Sequence, residues 1–198
     1  MQINIDKKSG IFIGIIAALV LVIAFISFGS GRGGHGGMHD MGMHEEDKKK
    51  SSMNGSDQMF LQMMIPHHEQ AVEMSDLALT NSKNTEVLKL AKQIKDAQSV
   101  EIISMNSWLK SSGMSADMGH DMDHGMGGMM DDAGMLALKA AKGAEFDRLF
   151  LTGMIAHHEG ALHMVMMIRD SDDPNLQTLG QNIIRTQTAE IELMKKLL

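Results

Sequence analysis

No cysteine and no tyrosine occur in this chain of 198 residues, tryptophan appears once and proline twice. Without cysteine there can be no disulfide and no thiolate metal site. The scarcity of proline and aromatic residues (phenylalanine numbers 6) suits helices better than a β-sandwich. Basic residues are also short, 18 Lys+Arg against 25 Asp+Glu, and the formal charge of −7 argues against a nucleic-acid partner. What the chain has instead is methionine, 22 residues, and histidine, 10 residues. A thioether is soft, has no proton to lose and cannot form a disulfide. Methionine with histidine therefore suits a soft-metal site in an oxidising compartment.

The methionines and histidines are ordered by a repeat. Met64-Ile65-Pro66-His67-His68-Glu69-Gln70-Ala71-Val72-Glu73-Met74 returns as Met154-Ile155-Ala156-His157-His158-Glu159-Gly160-Ala161-Leu162-His163-Met164, an offset of 90, and Phe60-Leu61 returns as Phe150-Leu151. A second set, Ile94, Gln98, Glu101-Ile102 and Met105, returns at an offset of 89 as Ile183, Gln187, Glu190-Ile191 and Met194. Asn84 and Asp173 are matching cap candidates, the second followed by Pro174 at the first helical position. Helices are predicted over 57–80, capped by Ser56 or Asp57, over 85–110 with Gly113 as a left-handed cap, over 132–169 and over 174–198. Two similar helical hairpins make an all-α, antiparallel four-helix bundle, with a long Met/His-rich connection in the middle.

On a helix, His67 and Met74 fall on one stripe, as do His157 and Met164, while Met64 and Met154 stand one turn before His68 and His158. Opposite them, Glu101 with Met105 and Glu190 with Met194 keep helical spacing. Imidazole, thioether and carboxylate could then converge on Cu(I) or Ag(I) through sulfur and nitrogen, or on Cu(II) through nitrogen and oxygen. Met74, Met105, Met164 and Met194 read equally well as core filling. Adjacent histidines do not, because neighbouring helix positions point about 100° apart. His163 reads as exposed or as an accessory ligand. Pro66 stands in a helix interior, where it removes a backbone hydrogen bond, and its counterpart is Ala156.

Residues 113–130 form a Gly-rich linker that carries Met114, Met118, His120, Met122, His124, Met126, Met129 and Met130 as further soft donors. Exposed methionine is otherwise an oxidation liability, so metal collection is the reading preferred over an inert linker. Residues 29–56 have a similar composition and cannot bury a core, so they read as a flexible tether. The apolar run 11–28 is long enough for a bilayer, about 27 Å as a helix, and Lys7 and Lys8 precede it. A single-pass anchor follows, with residues 1–10 cytoplasmic and the rest outside the cytoplasm. Cleavage near Ser27-Phe28-Gly29, giving a secreted form, is the alternative.

Catalytic signatures fail on spacing. His158-Glu159-Gly160-Ala161-Leu162-His163 has one residue too many for a zinc-protease motif. No Glu-x-x-His pair of the di-iron kind occurs in the chain. The paired Met-Ile-x-His-His-x-x-Ala-x-x-Met motifs, with the downstream Ile-x-x-x-Gln-x-x-Glu-Ile-x-x-Met, resemble the CopM-like family, described mainly as a domain of unknown function. The resemblance covers residues 57–198. It implies a ferritin-like four-helix bundle that binds copper and silver outside the cytoplasm and helps resist excess metal. It also implies metal donors at Met64, His67, His68, Met74, Met105, Met154, His157, His158, Met164 and Met194. Ala156 in place of Pro66 departs from exact duplication and puts the equality of the two half-sites in question. The expected function is a membrane-anchored copper- or silver-binding protein serving sequestration, resistance or transfer to a partner protein, with no covalent chemistry. The alternatives are a copper-dependent metal oxidase and an interaction module that docks a partner helix on soft methionine faces.

Overall fold

The computed structural model describes residues 53–115 and 127–198. These residues form five α-helices and one 3₁₀ helix, with no strand among them. Helix α1 spans Gly55–Asn81, α2 Thr85–Ser111, α3 Asp132–Ala140, α4 Gly143–Met164 and α5 Pro174–Leu197; the 3₁₀ helix Val165–Ile168 continues directly from α4. Helix α1 packs along α2 and α4 along α5, each pair joined by a short connection that turns the chain back on itself. Helix α1 also packs on α4, and α2 on α5, so two hairpins close into one helical bundle.

The helix ends follow local chemistry. Helix α1 starts two residues earlier than expected, because Asn54 and not Ser56 or Asp57 is its N-cap. The Asp57 amide donates to Asn54 Oδ1 at 2.9 Å and the Asn54 amide to Asp57 Oδ2 at 3.2 Å, a reciprocal capping box. Asn84 and Asp173 cap α2 and α5 as expected, accepting from the amides of Glu86 at 3.0 Å and Asn175 at 2.8 Å. Gly113 lies past the end of α2 at φ +75°. Helix α1 runs through Pro66 without interruption.

The predicted single helix over 132–169 is divided. Ala141 and Lys142 are extended, and Gly143 has φ +59°, which a glycine accepts at little cost. The end of α1 holds this break open. The Asn81 amide group donates to the Lys139 carbonyl at 3.3 Å, and the Lys142 ammonium donates to Asn81 Oδ1. Tertiary hydrogen bonds therefore override a run whose alanines and lysines favour continuous helix. At the other end the helix tightens into the 3₁₀ turn, where Val165, Ile168 and Ser171 are buried at every third position.

The core has two apolar clusters, one on each side of the histidine level. Along α1, Phe60, Leu61, Met64 and Ile65 belong to one cluster and Ala71, Met74 and Ala78 to the other. Along α4 the order reverses, with Phe150, Leu151 and Met154 in the second cluster and Ala161 and Met164 in the first. Among the described residues no helix is long and apolar enough to cross a membrane. The expected anchor at 11–28 lies outside them, as does the tether 29–56 except for 53–56, of which Gly55 and Ser56 already belong to α1.

Candidate metal centre

His67, His68, His157 and His158 come from the middle turns of α1 and α4, and all four have 0% exposure. The neighbours in each pair point apart, as adjacent helix positions must. His67 and His157 face each other across the α1–α4 contact with ring centroids 3.8 Å apart and planes tilted by 41°. His68 turns to α2 and donates through Nε2 to Glu101 Oε2 at 2.7 Å. His158 turns to α5 and donates through Nε2 to Glu190 Oε2 at 2.8 Å. The two carboxylates are themselves buried, at 5% and 4% exposure.

These bonds set the tautomers. A carboxylate or carbonyl oxygen only accepts, so Nε2 of His68 and of His158 carries a proton, and in the neutral ring Nδ1 then keeps its lone pair. His67 Nε2 meets the Gly127 carbonyl at 3.3 Å, which leaves its Nδ1 in the same state. All three Nδ1 atoms, with both ring nitrogens of His157, are buried without a hydrogen-bond partner among the described residues. Gln98 Oε1 and Nε2 and Gln187 Oε1 are buried and unpartnered in the same way. This many orphaned polar atoms in one core is unusual and costly unless something fills the gap.

Burial holds both facing imidazoles neutral. His67 is lowered from 6.5 to about 3, chiefly by desolvation and then by the nearby His68 and His158, against the Gly127 carbonyl, which raises it. His157 is also held well below its ordinary value by desolvation and by its histidine neighbours, and the nearby His67 backbone opposes this only weakly. A neutral imidazole with a free lone pair is the form that coordinates a metal.

The ten predicted donors are all buried, yet they are not gathered hairpin by hairpin as the helical stripes suggested. Met64 and Met74 stand ten positions apart on α1, about 15 Å along the axis, too far to share one ion. Met64, Met105 and Met164 lie in one core cluster, and Met74, Met154 and Met194 in the other. Under the repeat these two sets exchange exactly: each takes two methionines from one hairpin and one from the other. Among the described residues no three His, Asp or Glu side chains are placed to hold one metal ion.

The accessory candidates separate. Glu101 and Glu190 touch histidine nitrogen. His163 is exposed, with its Nδ1 against the Glu159 carbonyl at 2.9 Å, and stands apart from the buried four. Met114 is 40% exposed. Met129 and Met130 are partly buried beside the bundle. Met118, His120, Met122, His124 and Met126 lie outside the described residues. Sequence reasoning missed the role of Gln70, which binds the Met130 backbone twice. Its signal was present, since Gln70 is matched by Gly160 inside an otherwise well-kept motif.

Residues 57–198 match the model of a domain of unknown function, DUF305. The chain belongs to the DUF305 family. Its fold is shared by a DUF305 fragment from Deinococcus radiodurans, 29% identical, with a TM-score of 0.68 over 73% of this chain and 96% of that one. A candidate secreted DUF305 protein from Streptomyces coelicolor is 30% identical, with a TM-score of 0.67 over 72% of this chain and 91% of that one. CopM in its Cu(I)-bound form is 33% identical, with a TM-score of 0.59 over 71% of this chain and 93% of that one. CopM is also known in Cu(II)-bound and silver-bound forms. No curated protein matches the sequence. The resemblance read from the paired motifs thus holds, and the structures similar to this chain include CopM with copper and with silver bound.

Proposed function

We propose that this DUF305 chain binds Cu(I) or Ag(I) in the bundle interior, storing the ion or passing it on, with no covalent step. The observation that carries the reading is the set of four buried histidines whose Nδ1 atoms have no partner among the described residues, lying between two exchanged methionine triads. Soft monovalent ions favour thioether and imidazole, and among the described residues no three His, Asp or Glu side chains are grouped as a hard divalent ion would need. Glu101 and Glu190 serve as supports that fix the His68 and His158 rings and raise their basicity, the outer-shell arrangement common at metal-bound histidine. On this reading the bundle is ferritin-like, held outside the cytoplasm by the apolar segment 11–28, and the Met/His linker 113–130 gathers ions for the interior. A Cu(II) ion, a preference for nitrogen and oxygen, would use the same histidines with Glu101 or Glu190.

The test is an anaerobic Cu(I) and Ag(I) titration of the full chain in detergent micelles against a competing chelator. Replacing His67, His68, His157 and His158 together by Ala is expected to weaken the tightest sites at least a hundredfold while circular dichroism shows the helices intact. Unchanged affinity and stoichiometry in the folded variant would sink the assignment.

A further inference from the structure

The two halves of the bundle repeat each other closely, but one segment has no counterpart among the described residues and touches the site from one side. Residues 127–130 cross the α1–α4 face directly over the facing histidines. Three hydrogen bonds and three close approaches at glycine fix them. Gln70 Nε2 donates to the Met130 carbonyl and the Met130 amide donates to Gln70 Oε1, both at 2.8 Å. His67 Nε2 donates to the Gly127 carbonyl at 3.3 Å. On α4, a Cβ at Gly160 would stand 1.6 Å from that same carbonyl oxygen, so only glycine admits the crossing there. A Cβ at Gly128, which has φ +84°, would stand 2.1 Å from the Ala156 carbonyl oxygen. Beyond the crossing, the Met130 methyl rests on Gly153, 2.2 Å from where a Cβ would be, beside the Met74 methyl.

Two of the positions at which the duplicated motifs disagree help hold this segment. Gln70 on α1 corresponds to Gly160 on α4, and Ala156, which meets Gly128, corresponds to Pro66. One copy of the motif supplies the grip and the other supplies the room. We propose that residues 127–130 form a one-sided cover over the His67–His157 pair, latched by Gln70 and seated on Gly160, and that it sets how fast a soft monovalent ion enters and leaves. Gln70 is then a positioning residue that touches no ion. This rests on the metal-binding reading, and deepens it by giving the site an entrance on one face.

The test has one arm that needs no metal. Histidines of the full chain are labelled with diethyl pyrocarbonate and the modified positions located by mass spectrometry, in the native chain, in Gln70→Ala and in Gly160→Ala. Gln70→Ala removes both hydrogen bonds to the Met130 backbone, which opens the cover roughly tenfold, and Gly160→Ala puts a Cβ where the Gly127 carbonyl oxygen sits and drives the segment off to a similar extent. Labelling of His67 and His157 is therefore expected about ten times faster in both variants, with His68 and His158 unchanged. Equal acceleration at all four histidines, or none at any, would overturn the cover. In the second arm, Ag(I) uptake and release are followed by stopped flow against a chelator. Both rates should rise about tenfold in Gln70→Ala while Kd stays within threefold, and a faster release at unchanged uptake, raising Kd about tenfold, would make Gln70 part of the site. A native chain that takes up no Ag(I) would refute the metal reading, and the labelling arm would still decide the cover.

Discussion

The first hairpin and the second differ little where the core is concerned and a good deal where the linker touches them. Phe60, Met64, His67, His68 and Met105 in one half are as fully buried as Phe150, Met154, His157, His158 and Met194 in the other, all at 0% exposure. The His–Glu bonds agree to 0.1 Å, at 2.7 and 2.8 Å. Even the turns agree, with Ser82 Oγ accepting from the Asn84 amide at 3.1 Å and Ser171 Oγ from the Asp173 amide at 3.2 Å. Against this background Pro66 with Gln70 and Ala156 with Gly160 stand out. Two identical halves would bind alike; these two share a single pseudo-symmetric interior but only one of the two faces is crossed by residues 127–130.

Three measurements would break or sharpen that comparison. The largest effect belongs to the aromatic pair. Phe60→Ala and Phe150→Ala should each lower unfolding stability by about 3–5 kcal/mol in urea, since both rings are fully buried. Costs differing by more than about 2 kcal/mol would mean that one hairpin holds the other's fold.

A middle effect comes from acid. His67 sits at about 3 in the folded chain against an ordinary 6.5, so between these values the unfolded chain binds the extra proton. Stability therefore rises with pH across this window and is lost as pH falls below 6.5, by about 1.4 kcal/mol per pH unit. At pH 5 the metal-free protein should have lost on the order of 2 kcal/mol from this group alone. His67→Gln should flatten the slope, and His157→Gln should flatten it as well, because His157 is lowered in the same direction. If only one variant does so, the two facing rings are not equivalent. The smallest effect is at the rim. Lys95 pairs with Asp76 between α2 and α1, and Lys195 lies 3.6 Å from Glu159 between α5 and α4. Replacing either lysine by Ala should shift stability by less than about 1 kcal/mol, measured by thermal unfolding at low and high salt.

Much of this was legible in the sequence. The doubled motif gave the hairpins, because apolar positions at helical spacing recur with their caps. The adjacent histidines marked the site, since two neighbouring rings cannot both be ordinary core filling. What failed depended on distance through space. Helical stripes place Met64 and Met74 on related faces but hide their separation along the axis, so the exchange of methionines between hairpins could not be read from one helix. The break after Ala140 was invisible for a similar reason. Its cause is the Asn81 side chain, which meets Lys139 and Lys142 from the far end of another helix. Gln70 drew no reading of its own, because its partner, the Met130 backbone, comes from a segment sixty residues away.

The 3₁₀ turn at Val165–Ile168 explains how the two copies stay in phase. Between Met74 and Ser82 there are eight steps along the chain, and between Met164 and Ser171 seven. Losing one residue from an α-helix swings everything downstream by about 100° and draws it back about 1.5 Å. Four residues wound as 3₁₀ advance about 0.5 Å more each and turn about 20° more each than α, which returns roughly 2 Å and 80°. The tighter winding thus absorbs a one-residue deletion within a single turn. Glu190 and Met194 arrive facing the core in the same phase as Glu101 and Met105, and length variation at this position need not disturb the chemistry beyond it.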